Sequence, residues 1–396
     1  MKSLVLCPYV PFPPNHGGRI RSAMLCTALG SLGEVVLAAP LSAAHEDEAR
    51  AITAENGCRL APLGPPAIAT SPLRKLGCWS RSRSEVLERR WTPMARACVA
   101  ALLEREAFDV VALDSSFVIP LLPARCTPPI VIQLHNLEFA VMRRSAGHAP
   151  SRVDAWLRRV ESRRIERAER RTLRSARLAV AVSEVDARLA RGLEPSARIA
   201  VVENSLDLRT VPLLPPAPGE VPLLLLVGSF QYPPNLDAAR VLVRDHLPAL
   251  RARWPDLRVR LIGHDPDGEL REFAGRPGLE LTGFVGELVP HYTEATAIYA
   301  PIRDGGGTRI KVIEAMAFGR PVISTAVGVE GLAVRRDVHW LSCESPQDGV
   351  ASVARVLDQG ADGLVRAGRA LVEARHSHAV TVPALAKVIS AALERA

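Results

Sequence analysis

The chain has 396 residues, more than one ordinary core accommodates, so two domains of usual size are expected. Hydrophobic residues make up 48% and charged ones 23%, a globular balance, and no apolar run approaches the ~18 residues needed to span a bilayer. The net charge of +8 sits in one half, because residues 1–207 hold 29 Lys/Arg against 21 Asp/Glu and residues 208–396 hold 21 of each.

The first strand is expected at Leu4–Cys7, cut short by Pro8, Pro11, Pro13 and Pro14. That makes a poor export signal, so the protein is read as cytoplasmic. Short β-rich runs then alternate with helical patterns, the signature of a parallel sheet with crossover helices. Further strands fit Glu34–Ala38, Val110–Leu113, Ile130–Leu134, Leu178–Val182 and Ile199–Val202, with helices over Arg19–Leu29 and Glu85–Glu104. The tract "LRTVPLLPPAPGE" (208–220) puts four prolines in thirteen residues and reads as a linker. The alternation then restarts. Strands fit Leu223–Val227, Arg258–Ile262, Ala297–Pro301 and Val322–Ser324; helices fit Leu236–Arg251, Thr308–Phe318 and Asp348–Leu357. The fold class is therefore α/β, with two Rossmann-like parallel-sheet domains (1–207 and 221–378) facing each other across a cleft.

Seven cysteines are scattered with no C-x-x-C pair, which argues against both a zinc site and a disulfide framework. One segment breaks the alternation: Arg152–Arg177 holds ten arginines and four acids. It reads first as a solvated helix with pairs Asp154–Arg158 and Glu166–Arg170. The sharper reading is a surface for anionic lipid headgroups.

The densest signal is "YAPIRDGGGTRIKVIEAMAFGRP" (299–321). Gly305, Gly306 and Gly307 stand between a buried strand and a helix, where backbone amides and the helix dipole welcome a phosphate. Thr308 opens the helix. Arg309 offers a bidentate fork and Lys311 a point charge to phosphate oxygens. Glu314 lies on the face of Lys311, on the exposed first turns, and can accept from two vicinal hydroxyls of a ribose. The set suits a nucleotide diphosphate. Neither a G-x-x-x-x-G-K-[ST] loop nor a G-x-G-x-x-G after the first strand occurs, so the Walker and classical dinucleotide sites are unsupported.

These residues carry a resemblance. "GGGTRIKVIEAMAFGRPVISTAVGVEGL" (305–332) is similar to the donor-site signature of the family 4 (group 1) retaining glycosyltransferases, which have the GT-B fold. "PYVPFPPNHGGRIRS" (8–22) resembles the family's glycine loop, with Gly17 and Gly18 at the paired-glycine position. "IQLHNLEF" (132–139) resembles the segment bearing an active-site His, here His135; "VVENSLDL" (201–208) resembles the end of the first domain. "LLVGSFQYPPNLDAA" (225–239) looks like the opening of the second domain and brings Gly228 to the donor. Within the family, the chain resembles the bacterial exopolysaccharide-linked sugar transferase branch.

The resemblance implies an acceptor-binding domain 1–207, with the final stretch 379–396 packing back on it, and a donor domain 221–378. It implies transfer of a sugar from a UDP- or GDP-linked donor to a lipid-linked or small-molecule hydroxyl, with retention. No further cofactor, metal or nucleic acid is implied. His135, Arg309 and Lys311 would serve catalysis; Gly17, Gly18, Gly228, Gly305, Gly306, Gly307, Thr308, Arg309, Lys311 and Glu314 would hold the donor. Two departures stand out. The family's E-x7-E would put its first Glu on Gly306, and "GSFQYPPN" lacks the Arg and Lys common after that strand. Arg309 and Lys311 are read as taking over diphosphate neutralisation. A nucleotide-sugar epimerase of the same fold, or a catalytically silent partner protein, stays open.

Smaller signals complete the reading. His135 sits at the C-terminal end of a strand, where ligands meet open α/β sheets. The D-x-D of "GHDPDG" (263–268) is read as a turn rather than a metal site, and Asn235 as a helix N-cap. His16 and Arg19 flank the paired glycines.

Overall fold

A computed structural model describes every residue except 15–16, 68–76, 150, 218, 220, 266–267, 307–308 and 395–396. The chain forms two compact units, Met1–Asn204 with Thr381–Ala396, and Ser205–Val380.

The first unit is built on seven parallel strands: β1 (Lys2–Leu6), β2 (Glu34–Ala39), β3 (Cys58–Pro62), β4 (Val110–Leu113), β5 (Ile130–Leu134), β6 (Leu178–Ala181) and β7 (Ile199–Val201). Their order is β3-β2-β1-β4-β5-β6-β7. The run reverses direction beside β1, a point where open sheets bind ligands at the carboxyl ends of their strands. Every residue of β4, β5 and β6 is buried, as runs that are apolar but for Gln133 and covered on both faces should be. Two apolar clusters, one around Leu113, Ile132 and Trp91, the other around Met24, Leu37 and Val180, pack on this sheet.

The second unit has six parallel strands: β8 (Leu223–Val227), β9 (Arg258–Ile262), β10 (Leu279–Gly283), β11 (Ala297–Ala300), β12 (Val322–Ser324) and β13 (Leu341–Ser342), ordered β10-β9-β8-β11-β12-β13. Its core gathers Leu224, Phe230, Leu261, Tyr299 and Ile323.

Several expected boundaries move for local reasons. The helix expected over 85–104 is split into Glu85–Glu88 and Pro93–Arg105, because Pro93 restarts it and Thr92 caps it, accepting from Ala95 N at 3.1 Å. The helix expected from Leu236 begins at Pro233 and passes through a π turn at Leu242–His246, beside Pro248, which lacks an N–H to donate. The helix after the glycine loop runs Ile310–Ala317 rather than from 308.

The Pro-rich tract 208–220 carries neither helix nor strand in its described residues, yet it is tied to the second unit. Leu214 N–H donates to Phe318 O at 3.1 Å, and Arg369 donates to Val211 O at 3.1 Å. The last helix, His378–Glu394, lays Leu385, Ala386 and Ile389 into the core of the first unit.

Candidate active site

The second unit presents the glycine loop at the C-terminal end of β11. Gly305 has φ of 120° and lies so close to its neighbours that a Cβ would come within 2.7 Å of Arg309 Nη2. The buried Arg309 guanidinium turns back on the loop, donating to Gly306 O and, at 3.3 Å, to Asp304 O. Gly307 and Thr308 lie outside the described residues.

On the helix that follows, the structure alters one expectation. Lys311 and Glu314 are half-buried rather than exposed. Lys311 Nζ donates to Asn235 Oδ1 at 2.7 Å, and Asn235 Nδ2 donates to Ser229 O at 2.8 Å. Asn235 is not the N-cap, which falls on Tyr232; it stands inside the helix and bridges to the lysine. Gly228 makes room for that bridge, since a Cβ there would meet Asn235 Nδ2 at 2.7 Å and Lys311 Nζ at 2.8 Å. Burial, with Arg309's charge adding, pulls the Lys311 ammonium down to about 7. Glu314 accepts from Tyr292 at 2.9 Å, and burial pushes its carboxyl up to about 7. Tyr292 itself is fully buried and stacks on Phe318.

Beside this lies a cavity of about 320 Å³ at the C-terminal ends of β8, β9 and β10, lined by Phe230, Gly263, His264, Leu270, Gly283 and Phe284. Asp265 accepts from Glu269 N at 2.9 Å and Leu270 N at 3.0 Å, so its carboxylate closes a turn; Asp267 lies outside the described residues.

The first unit gathers a polar cluster at the strand ends. Asp114 follows β4 and His135 follows β5. His135 Nε2 stands 3.2 Å from Asp114 Oδ1, which also accepts from Gln133 Nε2 at 3.1 Å. Asp114 Oδ2 accepts from Ser22 Oγ at 2.7 Å and Cys7 Sγ at 3.3 Å. Burial works to raise this carboxyl, but His135, Ser22 and Cys7 together hold it below its ordinary value. Gly17 and Gly18 open the helix that carries Ser22 (Gly17–Gly30), and Ser22 Oγ also reaches Gly18 O at 2.9 Å. Arg21 is buried, donates to Glu203 O at 2.8 Å, and is lowered to about 10 by burial despite Asp114 nearby. Arg19 lies over the Tyr9 ring; His16 is outside the described residues.

Two family models match nearly end to end. That for glycosyltransferase family 4 covers residues 22–210, and that for glycosyl transferases group 1 covers 221–359. The chain belongs to glycosyltransferase family 4. Among solved structures, this glycosyltransferase is similar to a sucrose-phosphate synthase from Thermosynechococcus elongatus, 18% identical over 100% of both chains, with a TM-score of 0.74. It is also similar to HepE of Anabaena in complex with UDP-glucose, 14% identical, covering 99% of this chain and 100% of that one, with a TM-score of 0.68. The fold is GT-B. A phosphatidyl-myo-inositol mannosyltransferase of Mycolicibacterium smegmatis is 32% identical over 136 residues, a match spanning 31% of this chain and 33% of that protein.

Sequence reasoning about this glycosyltransferase missed Asp114 and Tyr292. Asp114 had a signal: it is the first acid after the apolar run "VVAL", at a strand end. Tyr292 had none, because its contact with Glu314 is made across the fold.

Proposed function

We propose that the protein transfers a sugar from a UDP- or GDP-linked donor to a hydroxyl acceptor with retention of anomeric configuration, in bacterial polysaccharide or glycoconjugate synthesis. The observation that carries this is the half-buried Lys311–Glu314 pair on the helix following the glycine loop. A diphosphate beside Lys311 restores the favourable surroundings its ammonium lacks, and Glu314 offers oxygens to ribose hydroxyls. Charge developing on the leaving diphosphate then meets Lys311, Arg309 and the N-terminal end of the helix, the kind of preorganised stabilisation that lowers barriers most. HepE binding UDP-glucose supports a nucleotide-sugar donor. The resemblance of 305–332 supports same-face departure and attack, with His135 hydrogen-bonding the sugar and Asp114 orienting its ring. With Lys311 and Arg309 proposed to neutralise the diphosphate, activity is expected to survive EDTA; complete loss, restored by Mg²⁺ or Mn²⁺, would argue for a metal.

The acceptor is proposed to be lipid-linked and met at the inner face of the membrane. No helix among the described residues is long and apolar enough to cross a bilayer. The helix Arg152–Ser175 instead exposes Arg152, Arg159, Arg163, Arg167 and Arg171 at helical spacing, together with Val153, Trp156 and Leu157. Cations interleaved with exposed apolar side chains suit an interface of anionic headgroups.

The deciding experiment incubates the protein with UDP- and GDP-sugars without acceptor. Slow donor hydrolysis is expected. Epimerised sugar would make it an epimerase, and absence of donor binding would make it a catalytically silent partner.

A further inference from the structure

The arginine-rich helix has an inner face as well. Ser162, Ile165, Glu169, Thr172 and Leu173 are buried along it, and Glu169 is the one acid among them, fully enclosed. A carboxylate so placed loses its hydration and destabilises the fold unless hydrogen bonds replace the water. Three do. Glu169 Oε1 accepts from Ser116 Oγ at 2.6 Å and from Glu138 N at 2.8 Å, and Oε2 accepts from Phe139 N at 3.2 Å. Even so, burial pushes the carboxyl up to about 8, with the charge of Glu138 adding to the effect.

The donors come from two different places. Ser116 lies two residues after Asp114, in the loop leaving β4. Glu138 and Phe139 open the helix Glu138–Ser145, three and four residues after His135, in the loop leaving β5. A simple helix cap would need only the second pair. One carboxylate therefore ties together the two loops whose first residues are the Asp114–His135 pair.

We propose that Glu169 is a positioning residue, whose buried carboxyl group spans the loops after β4 and β5 and sets the distance and angle of His135 against Asp114. This rests on the reading of His135 as a sugar-contacting group. Glu169→Gln keeps the shape and one acceptor oxygen, but turns an amide N–H₂ toward either Phe139 N–H or the Ser116–Glu138 donors. Ser116→Ala removes the β4 tie while leaving the helix cap in place.

The test combines turnover with NMR of the His135 ring in the full-length protein. Both variants should stay folded and keep their affinity for free UDP, since the nucleotide diphosphate is proposed to be held by Lys311 and Glu314 of the other unit. Turnover should fall on the order of tenfold in Glu169→Gln and severalfold in Ser116→Ala, and the His135 ring resonances should move in both. Unmoved His135 resonances with turnover unchanged per folded molecule would overturn the proposal and leave Glu169 a helix cap. A fully active His135→Ala would instead overturn the role given to His135, an outcome separate from whether Glu169 sets its ring.

Discussion

Lys311 and Glu314 are each held at a cost to the fold, and the sign of that cost is readable. The Glu314 carboxyl is raised from 4.5 to about 7, so the folded state keeps a proton that the unfolded chain releases between those values. Its contribution is full below about pH 4.5 and is lost as pH rises through 7. Lys311 is lowered from 10.5 to about 7, so the unfolded chain binds the extra proton and stability recovers as pH rises from 7 toward 10.5. At pH 8, Glu314→Gln should therefore melt higher than the parent, by about 1–2 kcal/mol after discounting for partial exposure, because Gln still accepts from Tyr292 and carries no charge. The same variant should raise the donor KM at least tenfold. A variant that melts lower and keeps full activity per folded molecule would remove Glu314 from the donor site. Diphosphate next to Lys311 should also pull its affinity for protons back up. Titration calorimetry with UDP near pH 7.5, in buffers of differing ionisation enthalpy, should then show proton uptake, absent in Lys311→Met; equal heats across buffers in the parent would contradict it. The pair itself was legible in the sequence as i and i+3 on one helix. The shifts were not, since they come from burial of both groups, with Arg309 adding at Lys311, and burial depends on elements packed from elsewhere in the chain.

At the scale of elements, legibility followed burial. β4 and β5 were placed to the residue because all their positions are covered and, Gln133 apart, apolar. The strands that went unread, β3, β10 and β13, all lie at sheet edges, where fewer apolar side chains are needed and short or mixed runs look like loop. The arginine-rich helix was read correctly as a helix, but its pairs only in part. Arg170 does meet Glu166 at 2.8 Å, whereas Arg158 donates to Ser145 O at 2.7 Å and Asp154 turns to the cap Ser151. Arg164 lies 4.8 Å over the Trp79 ring and is not among the free-facing cations. The stripe that remains, Arg159, Arg163, Arg167 and Arg171, is the part that should matter at a membrane, each Arg contributing ~1 kcal/mol before salt screens it. Vesicles with acidic lipids should bind the protein reversibly at low salt and more weakly at physiological salt. Changing those four to Ser should reduce binding by at least tenfold, and Trp156→Ser should reduce it less. If the parent ignores acidic vesicles even at low salt, the stripe is an ordinary solvated face and a soluble acceptor becomes the better reading.

The whole molecule has an asymmetry that its two parallel sheets conceal. The second unit, Ser205–Val380, is one continuous stretch of chain with its own core. The first is not: from Thr381 onward the last helix is part of it, and Leu385, Ala386 and Ile389 sit in the cluster with Met24, Leu37 and Val180. Arg177 Nε also donates to Ala392 O at 2.8 Å, tying β6's approach to that helix. A fully buried Leu or Ile contributes about 1.5–3 kcal/mol, so ending the chain after Val380 should take roughly 5 kcal/mol from the first unit, a large part of a domain's net stability. Nothing comparable is removed from the second. Calorimetry of the truncated protein should therefore show one transition lost or moved far down in temperature and the other within a few degrees of its parent position. Because Lys311, Glu314 and Asn235 all belong to Ser205–Val380, UDP or GDP should still raise the surviving transition, while transfer to any acceptor should be gone. Two transitions falling together would mean that the units do not hold their stability separately. An unchanged first transition would mean that the terminal helix is only an adornment on it.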